Sequence, residues 1–262
     1  MGVGVGDFDL SGELDIIKTH FQVDMPGLYQ NQGKGDFEDV ALRAGLGVET
    51  GYICCGTNFL DIDNDGLPDI FMVAGGVYPE VEKLFPEIPM NMPRLLFRNL
   101  GSGAFEELSE KAGLGVATRR CSRGLAFGDF DNDGDLDILI MNRNAPPTLL
   151  RNDLTGTNHW LKVMLIGVKS NRSAIGARVT AHYGESRQAQ EVLAQSSYLS
   201  VNDRRLHFGL GRAVTADLEI RWPNGDKETV SSVAADQLVV IREGAGIVTL
   251  RKFANTPPHR HV

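Results

Sequence analysis

One nine-residue pattern, met three times, narrows the folds open to this chain more than any other feature. Asp7-Phe-Asp9-Leu-Ser11-Gly12-Glu-Leu-Asp15 matches Asp61-Ile-Asp63-Asn-Asp65-Gly66-Leu-Pro-Asp69, and both match Asp129-Phe-Asp131-Asn-Asp133-Gly134-Asp-Leu-Asp137. A second pattern follows each loop: Tyr29-Gln-Asn31, Phe97-Arg-Asn99 and Leu150-Arg-Asn152. Asn31 to Asp61 and Asn99 to Asp129 are both 30 residues, while the loop periods are 54 and 68. The difference of 14 lies in one insertion around Gly75–Pro93. Repetition at a fixed interval means stacked copies of one supersecondary unit.

Each loop is flanked by apolar, strand-like runs: Asn58–Leu60 and Leu125–Phe127 before, Ile70–Val73 and Ile138–Met141 after. A hairpin turned by Asn-x-Gly-x-Gly follows in the first two units, at Asn31–Gly35 and Asn99–Gly103. Four short strands in about 50 residues is the arithmetic of a β-propeller blade. The apolar runs are too short and the glycine turns too frequent for helical repeats.

The loops offer oxygen at positions 1, 3, 5 and 9, with a backbone carbonyl available at position 7. The candidate ligands are Asp7, Asp9, Ser11 and Asp15; Asp61, Asp63, Asp65 and Asp69; and Asp129, Asp131, Asp133 and Asp137. Glycine at position 6 permits the sharp turn that gathers them. Hard oxygens in this number suit Ca²⁺, and carboxylates this close repel unless a cation is present. Ser11 makes the first loop the weakest. An EF-hand needs a bidentate Glu at position 12, where Lys18, Met72 and Ile140 stand. A solvated acidic turn explains one such loop, but explains three in register poorly. Calcium here reads as a structural clip rather than a catalytic metal.

The loops and their flanks resemble FG-GAP (VCBS) repeats over about residues 2–155. That resemblance implies calcium held by the loops and propeller blades as the fold. From about Asn158 the pattern changes. Trp160–Ile166, Ala177–Tyr183, Ala189–Leu193, Leu218–Trp222, Glu228–Val230 and Leu238–Ile241 read as strands, with a hairpin turn at Pro223–Asp226. Polar stretches at Lys169–Arg172, Ser196–Asp203 and His207–Gly211 read as turn chemistry, with a binding surface on the side of the sandwich as the alternative, and His207 reads as a packed core histidine. Asn158–Gly167, Ser170–Val179, Ser197–Ser200 and Arg205–Gly211 resemble the ASPIC/UnbV domain. Together the two halves resemble the C-terminal portion of the cartilage-acidic-protein-like family. The expected architecture is all-β: about three blades at 1–156, a β-sandwich at 157–253 and a disordered tail at 254–262. Three blades fall short of the four or so that close a ring. Either the chain belongs to a longer product or other chains cover the open edges.

Net charge is −8, from 25 acidic and 12 basic residues in 1–157 against 9 and 14 in 158–262. The acidic half argues against nucleic acid as a partner, and the scattered basic residues of the second half read as a solvated face. No apolar run approaches a membrane span. No secretion leader is visible, so the chain reads as N-terminally truncated. The three cysteines, Cys54, Cys55 and Cys121, suggest buried thiols, with a bridge from Cys121 to either neighbour as the alternative. Gly-x-Ser-x-Gly, His-Glu-x-x-His, P-loop and Cys-x-x-Cys motifs are all absent from the sequence. The expectation is a non-catalytic, calcium-binding interaction protein with a protein or glycan ligand, extracellular or periplasmic by resemblance. The alternatives are an enzyme or accessory protein acting on polysaccharide, and self-association through unpaired blade edges.

Overall fold

The computed structural model describes residues 1–48 and 50–253; the expected tail at 254–262 lies outside them. Each acidic loop joins two neighbouring strands, because the apolar runs on either side pair antiparallel. The first sheet is a meander of β1 (Val3–Gly6), β2 (Asp15–Lys18), β3 (Gly27–Gly33) and β4 (Asp36–Asp39). The second is β5 (Cys54–Leu60), β6 (Asp69–Ala74), β7 (Arg94–Asn99) and β8 (Phe105–Glu107); the third is β9 (Ser122–Gly128), β10 (Asp137–Asn142) and β11 (Thr148–Leu150). The 14-residue insertion carries a short helix, α1 (Pro79–Leu84), between β6 and β7.

Strand β6 shows how these sheets stack. Ile70 and Met72 join a core shared with the first sheet, including Phe8, Ile17 and Leu28. Phe71 and Val73, on the opposite face, join a core shared with Leu125, Phe127, Ile138 and Ile140 of the third. A strand apolar on both faces is one buried on both faces.

The remaining strands form two sheets. The fourth has the order β15 (Leu206–Gly211), β12 (His159–Ile166), β18 (Gln237–Arg242), β19 (Gly246–Arg251), with β12 and β18 parallel. The fifth has the order β14 (Ser186–Glu191), β13 (Arg178–Tyr183), β16 (Thr215–Arg221), β17 (Lys227–Ala234). They share one core, which includes Leu161, Val163, Val179, Phe208, Leu218 and Trp222.

The architecture is all-β, as expected, but it has five blade-sized sheets rather than about three blades and a sandwich set apart. The last two sheets lie against the acidic loops of the first three, because their inward polar groups bond there. One further expectation fails for the same reason: His207–Gly211 is not a connection but lies within β15, where Phe208 and Leu210 are core residues. Ser196–Asp203 has the expected turn chemistry, with Asn202 N–H donating to Ser196 Oγ and Arg205 N–H to Asp203 Oδ1 (both 3.0 Å). It also serves other sheets: Thr57 N–H donates to Ser197 Oγ (2.9 Å) and Phe127 N–H to Asn202 Oδ1 (3.0 Å). Strand β19 was not foreseen, and β14 begins earlier than expected. Cys55 and Cys121 are buried thiols, and Cys54 is also buried. Among the described residues no helix is long and apolar enough to cross a membrane.

Candidate metal centres and the surface that covers them

The three loops fold alike because each satisfies its own backbone. The ladder pairs Gly6–Asp15, Leu60–Asp69 and Gly128–Asp137 close the hairpins. The position-1 Oδ2 accepts the position-6 glycine N–H: Gly12 to Asp7 at 3.0 Å, Gly66 to Asp61 at 2.8 Å and Gly134 to Asp129 at 2.9 Å. Those glycines have φ of +83°, +91° and +106°, where a Cβ is strained. Position 4 is left-handed too, and holds Leu10, Asn64 and Asn132. Asn suits that conformation and Leu does not, a second weakness of the first loop besides Ser11.

The position-9 aspartate ties the loop to the hairpin beyond it. Oδ2 of Asp15, Asp69 and Asp137 accepts the N–H of Phe8, Ile62 and Phe130 at 3.0, 3.1 and 2.9 Å. Oδ1 accepts the N–H of Asn31, Asn99 and Asn152 at 2.8, 2.7 and 2.9 Å. This accounts for the asparagine of the second sequence pattern.

Carboxylate oxygens of positions 1, 3 and 9 converge within 4.8 Å of one another in each loop, as Asp7–Asp9–Asp15, Asp61–Asp63–Asp69 and Asp129–Asp131–Asp137. The position-5 candidates stand beside these triads. Ser11 Oγ, Asp65 Oδ1 and Asp133 Oδ1 accept the position-7 N–H at 3.2, 2.8 and 3.0 Å. Burial pushes Asp7 and Asp15 up to about 7, and the neighbouring Asp9 charge adds to it. Burial likewise raises Asp69 to about 8 and Asp137 to about 6, and holds Asp61 well above the carboxylate range. Asp7 Oδ1 and Asp131 Oδ1 are buried without a hydrogen-bond partner. All-oxygen donor sets with such orphaned oxygens fit a hard divalent cation.

The same Oδ2 of each position-1 carboxylate also faces the second half of the chain. Asp7 Oδ2 accepts the Ala189 N–H at 2.8 Å. Asp61 Oδ2 lies against Gly209, where a Cβ would collide with it. Asp129 Oδ2 meets the ammonium of Lys162, a side chain 1% exposed in the middle of β12. Burial lowers the Lys162 pKa to about 7; the neighbouring Arg205 charge adds to the fall and Asp203 opposes it.

Each loop has a different cover. Arg187 donates to the Ser11 carbonyl and Arg178 to that of Gly12. Tyr183 Oη donates to Gly66 O at 3.2 Å, and His207 Nε2 lies 2.6 Å from Asn64 Oδ1. Arg205 donates to Asp129 O at 3.0 Å and Asn132 Oδ1 at 2.7 Å, and the Trp160 indole lies where a side chain at Gly134 would be. Asn64 Nδ2 also reaches Asp135 Oδ1 at 2.8 Å, joining the second loop to the third. Asp7, Asp61 and Asp129 line one cavity of about 130 Å³ with Lys162, Gln188 and His207.

Lys162, Arg178 and Arg205, buried or half-buried against the loops, are therefore not a solvated face, which corrects the sequence reading for them. Arg187 is exposed although it donates to a loop, and Arg221, Lys227, Arg242 and Arg251 are exposed as expected. Two signals in the sequence pointed to the three covered residues: the opposite charges of the two halves, and a lysine inside the apolar run Trp160–Ile166. His207 is buried as expected, but it also contacts the second loop.

Two segments of the chain match known protein families. Residues 91–140 match the FG-GAP-like repeat family, and residues 167–248 match the family described as ASPIC and UnbV. The chain is similar to cartilage acidic protein 1 of Mus musculus, 27% identical over 98% of this chain and 38% of that protein. The Homo sapiens protein of that name is 26% identical over 92% of this chain and 35% of its own length. For the Xenopus tropicalis protein the figures are 26%, 90% and 35%. The chain thus spans little more than a third of the curated relatives it matches.

Proposed function

We propose, for a chain that joins an FG-GAP-like repeat to an ASPIC and UnbV segment, a calcium-stabilised, non-catalytic interaction protein. Residues 1–156 are read as a unit of three blades that carries the loops, and residues 157–253 as a second unit of two blade-sized sheets around one core, seated on those loops. Asp7, Asp9 and Asp15, with their counterparts in the other loops, would hold Ca²⁺, and Ser11, Asp65 and Asp133 complete the shells. The ion supplies charge neutralisation and nothing redox or nucleophilic. At a dissociation constant of about 10⁻⁴–10⁻³ M, about 1 mM Ca²⁺ stabilises each site by roughly 0.4–1.4 kcal/mol.

The single observation behind this reading is the buried carboxylate triad, repeated three times with the same geometry. The relatives' name places them in cartilage, in keeping with an extracellular or periplasmic site where calcium is abundant and the ligand is a protein or glycan. The test is a thermal melt in EDTA, in Ca²⁺ and in Mg²⁺. A rise of several degrees with Ca²⁺ alone, diminished in Asp63→Ala, is the expected result. No rise with Ca²⁺ would remove calcium from the reading.

A further inference from the structure

We infer that the outer face of the third sheet is an interblade surface that takes the first sheet of a second copy of this chain, head to tail. The repeat makes this visible, because equivalent residues face equivalent neighbours. In the first sheet the cross-strand pair Ile17–Leu28 faces the second sheet, and both side chains are 0% exposed. In the second sheet the equivalent pair Phe71–Leu96 faces the third, at 0% and 5%. In the third sheet the equivalent pair is Leu139–Leu149, at 45% and 47%.

Position 2 of the loop repeats the contrast. Phe8 is 2% exposed under the second sheet, stacked on Phe59, while Phe130 is 55% exposed. Met141, next on the same face as Leu139, is 52% exposed. Leu, Leu, Phe and Met at these positions carry the chemistry of a buried face, and single exposed apolar residues do not fall in such a register by accident.

The occupant follows from the opposite end of the stack. The row that receives such a face is Phe59–Ile70–Phe97 in the second sheet and Phe127–Ile138–Leu150 in the third. Its equivalent in the first sheet is Val5–Ile16–Tyr29, apolar and only partly buried. A hydrogen bond marks the same junction. Asn99 Nδ2 reaches back to Phe8 O at 2.8 Å, and Asn152 Nδ2 to Ile62 O at 2.7 Å. Asn31 Nδ2 bonds Leu14 O of its own loop at 2.9 Å, and among the described residues no asparagine reaches the equivalent carbonyl of Phe130. The third sheet thus offers what the first sheet is built to accept. Such a heterologous contact closes into a ring or runs on as a series.

The inference rests on reading the first three sheets as blades, and its test does not depend on calcium. Light scattering across a concentration series should give the mass of two chains or of a longer series. Leu139→Gln with Leu149→Gln should give the mass of one, with the melting midpoint of the wild type diluted to single chains, because both residues are exposed in the lone chain. Mixing Ile16→Cys with Leu139→Cys under mild oxidation should give a mixed disulfide that neither variant forms alone. One chain at every concentration overturns the inference, as does a disulfide formed by Leu139→Cys with itself. A monomer that still gains stability from Ca²⁺ sinks this inference and leaves the proposed function standing. Loss of the calcium effect from a protein that still associates does the reverse.

Discussion

The two halves of the chain handle charge in opposite ways. Residues 1–157 bury carboxylates in three nearly identical loops; residues 158–253 bring to those loops whatever each lacks. The first receives a backbone N–H and two guanidinium groups, and the third receives an ammonium and a guanidinium. The second is met by Tyr183, Gln188 and His207. Equal sequences in the loops therefore do not make equal electrostatic sites, and a net charge of −8 conceals an internal pairing of opposite charges. A mildly basic segment beside a strongly acidic one is as ready to be its cover as to face solvent.

The largest effect expected from this contrast is on pH dependence. Asp7, Asp15, Asp69 and Asp137 have folded-state pKa values raised to between about 6 and about 8. In EDTA the folded state then binds more protons than the unfolded chain. Stability should fall as pH rises from about 4 to about 8 and level off above. Moving one carboxyl from 3.8 to about 7 is worth about 4 kcal/mol above that range. Saturating Ca²⁺ requires the ionised forms, so the slope should reverse: stability present at neutral pH, lost as pH falls below about 4. Urea titrations over pH with and without EDTA check this, and parallel slopes would refute it.

A smaller effect is expected from the cover itself. In EDTA, Lys162→Met leaves Asp129 buried opposite no charge, a loss of about 3–5 kcal/mol. Adding Asp129→Asn removes the stranded charge, so the double variant should lose less than the sum of the two single changes. Urea unfolding of all four proteins gives the coupling. Strict additivity would mean that the ammonium is solvated after all.

The smallest effect compares equivalent asparagines. Asn99→Ala strands the buried carbonyls of Phe8 and Pro68, while Asn31→Ala strands only that of Leu14. The first should cost about 1–3 kcal/mol and the second less. Equal losses in thermal melts would argue against the junction between sheets.

The loops, their flanking strands and the asparagine pattern were legible because every bond that shapes them is short-range or recurs between the same two patterns, whatever the length of chain between them. Gly66 N–H to Asp61 spans five residues, and Asn99 to Asp69 spans 30. The strands of the second half were legible wherever apolar runs marked them. Strand β15 was misread because His207, Gly209 and Gly211 look like a turn until Asn64 and Asp61 are placed beside them. The sandwich set apart in the sequence reading failed similarly: its inward polar groups bond to loops distant in the chain, as Arg205 does with Asp129, 76 residues away.

By itself the sequence determined three acidic turns, the meanders around them and the oxygen chemistry they hold. All of these depend on local backbone geometry and on the spacing of carboxylates, glycines and asparagines. Only the tertiary structure decided that the Oδ2 of each position-1 aspartate, already bonded to its loop glycine, also meets Ala189, Gly209 or Lys162. It also decided which faces of equivalent strands are covered. Burial and charge pairing depend on what another part of the chain brings within a few ångströms, and no periodicity in the sequence encodes that register.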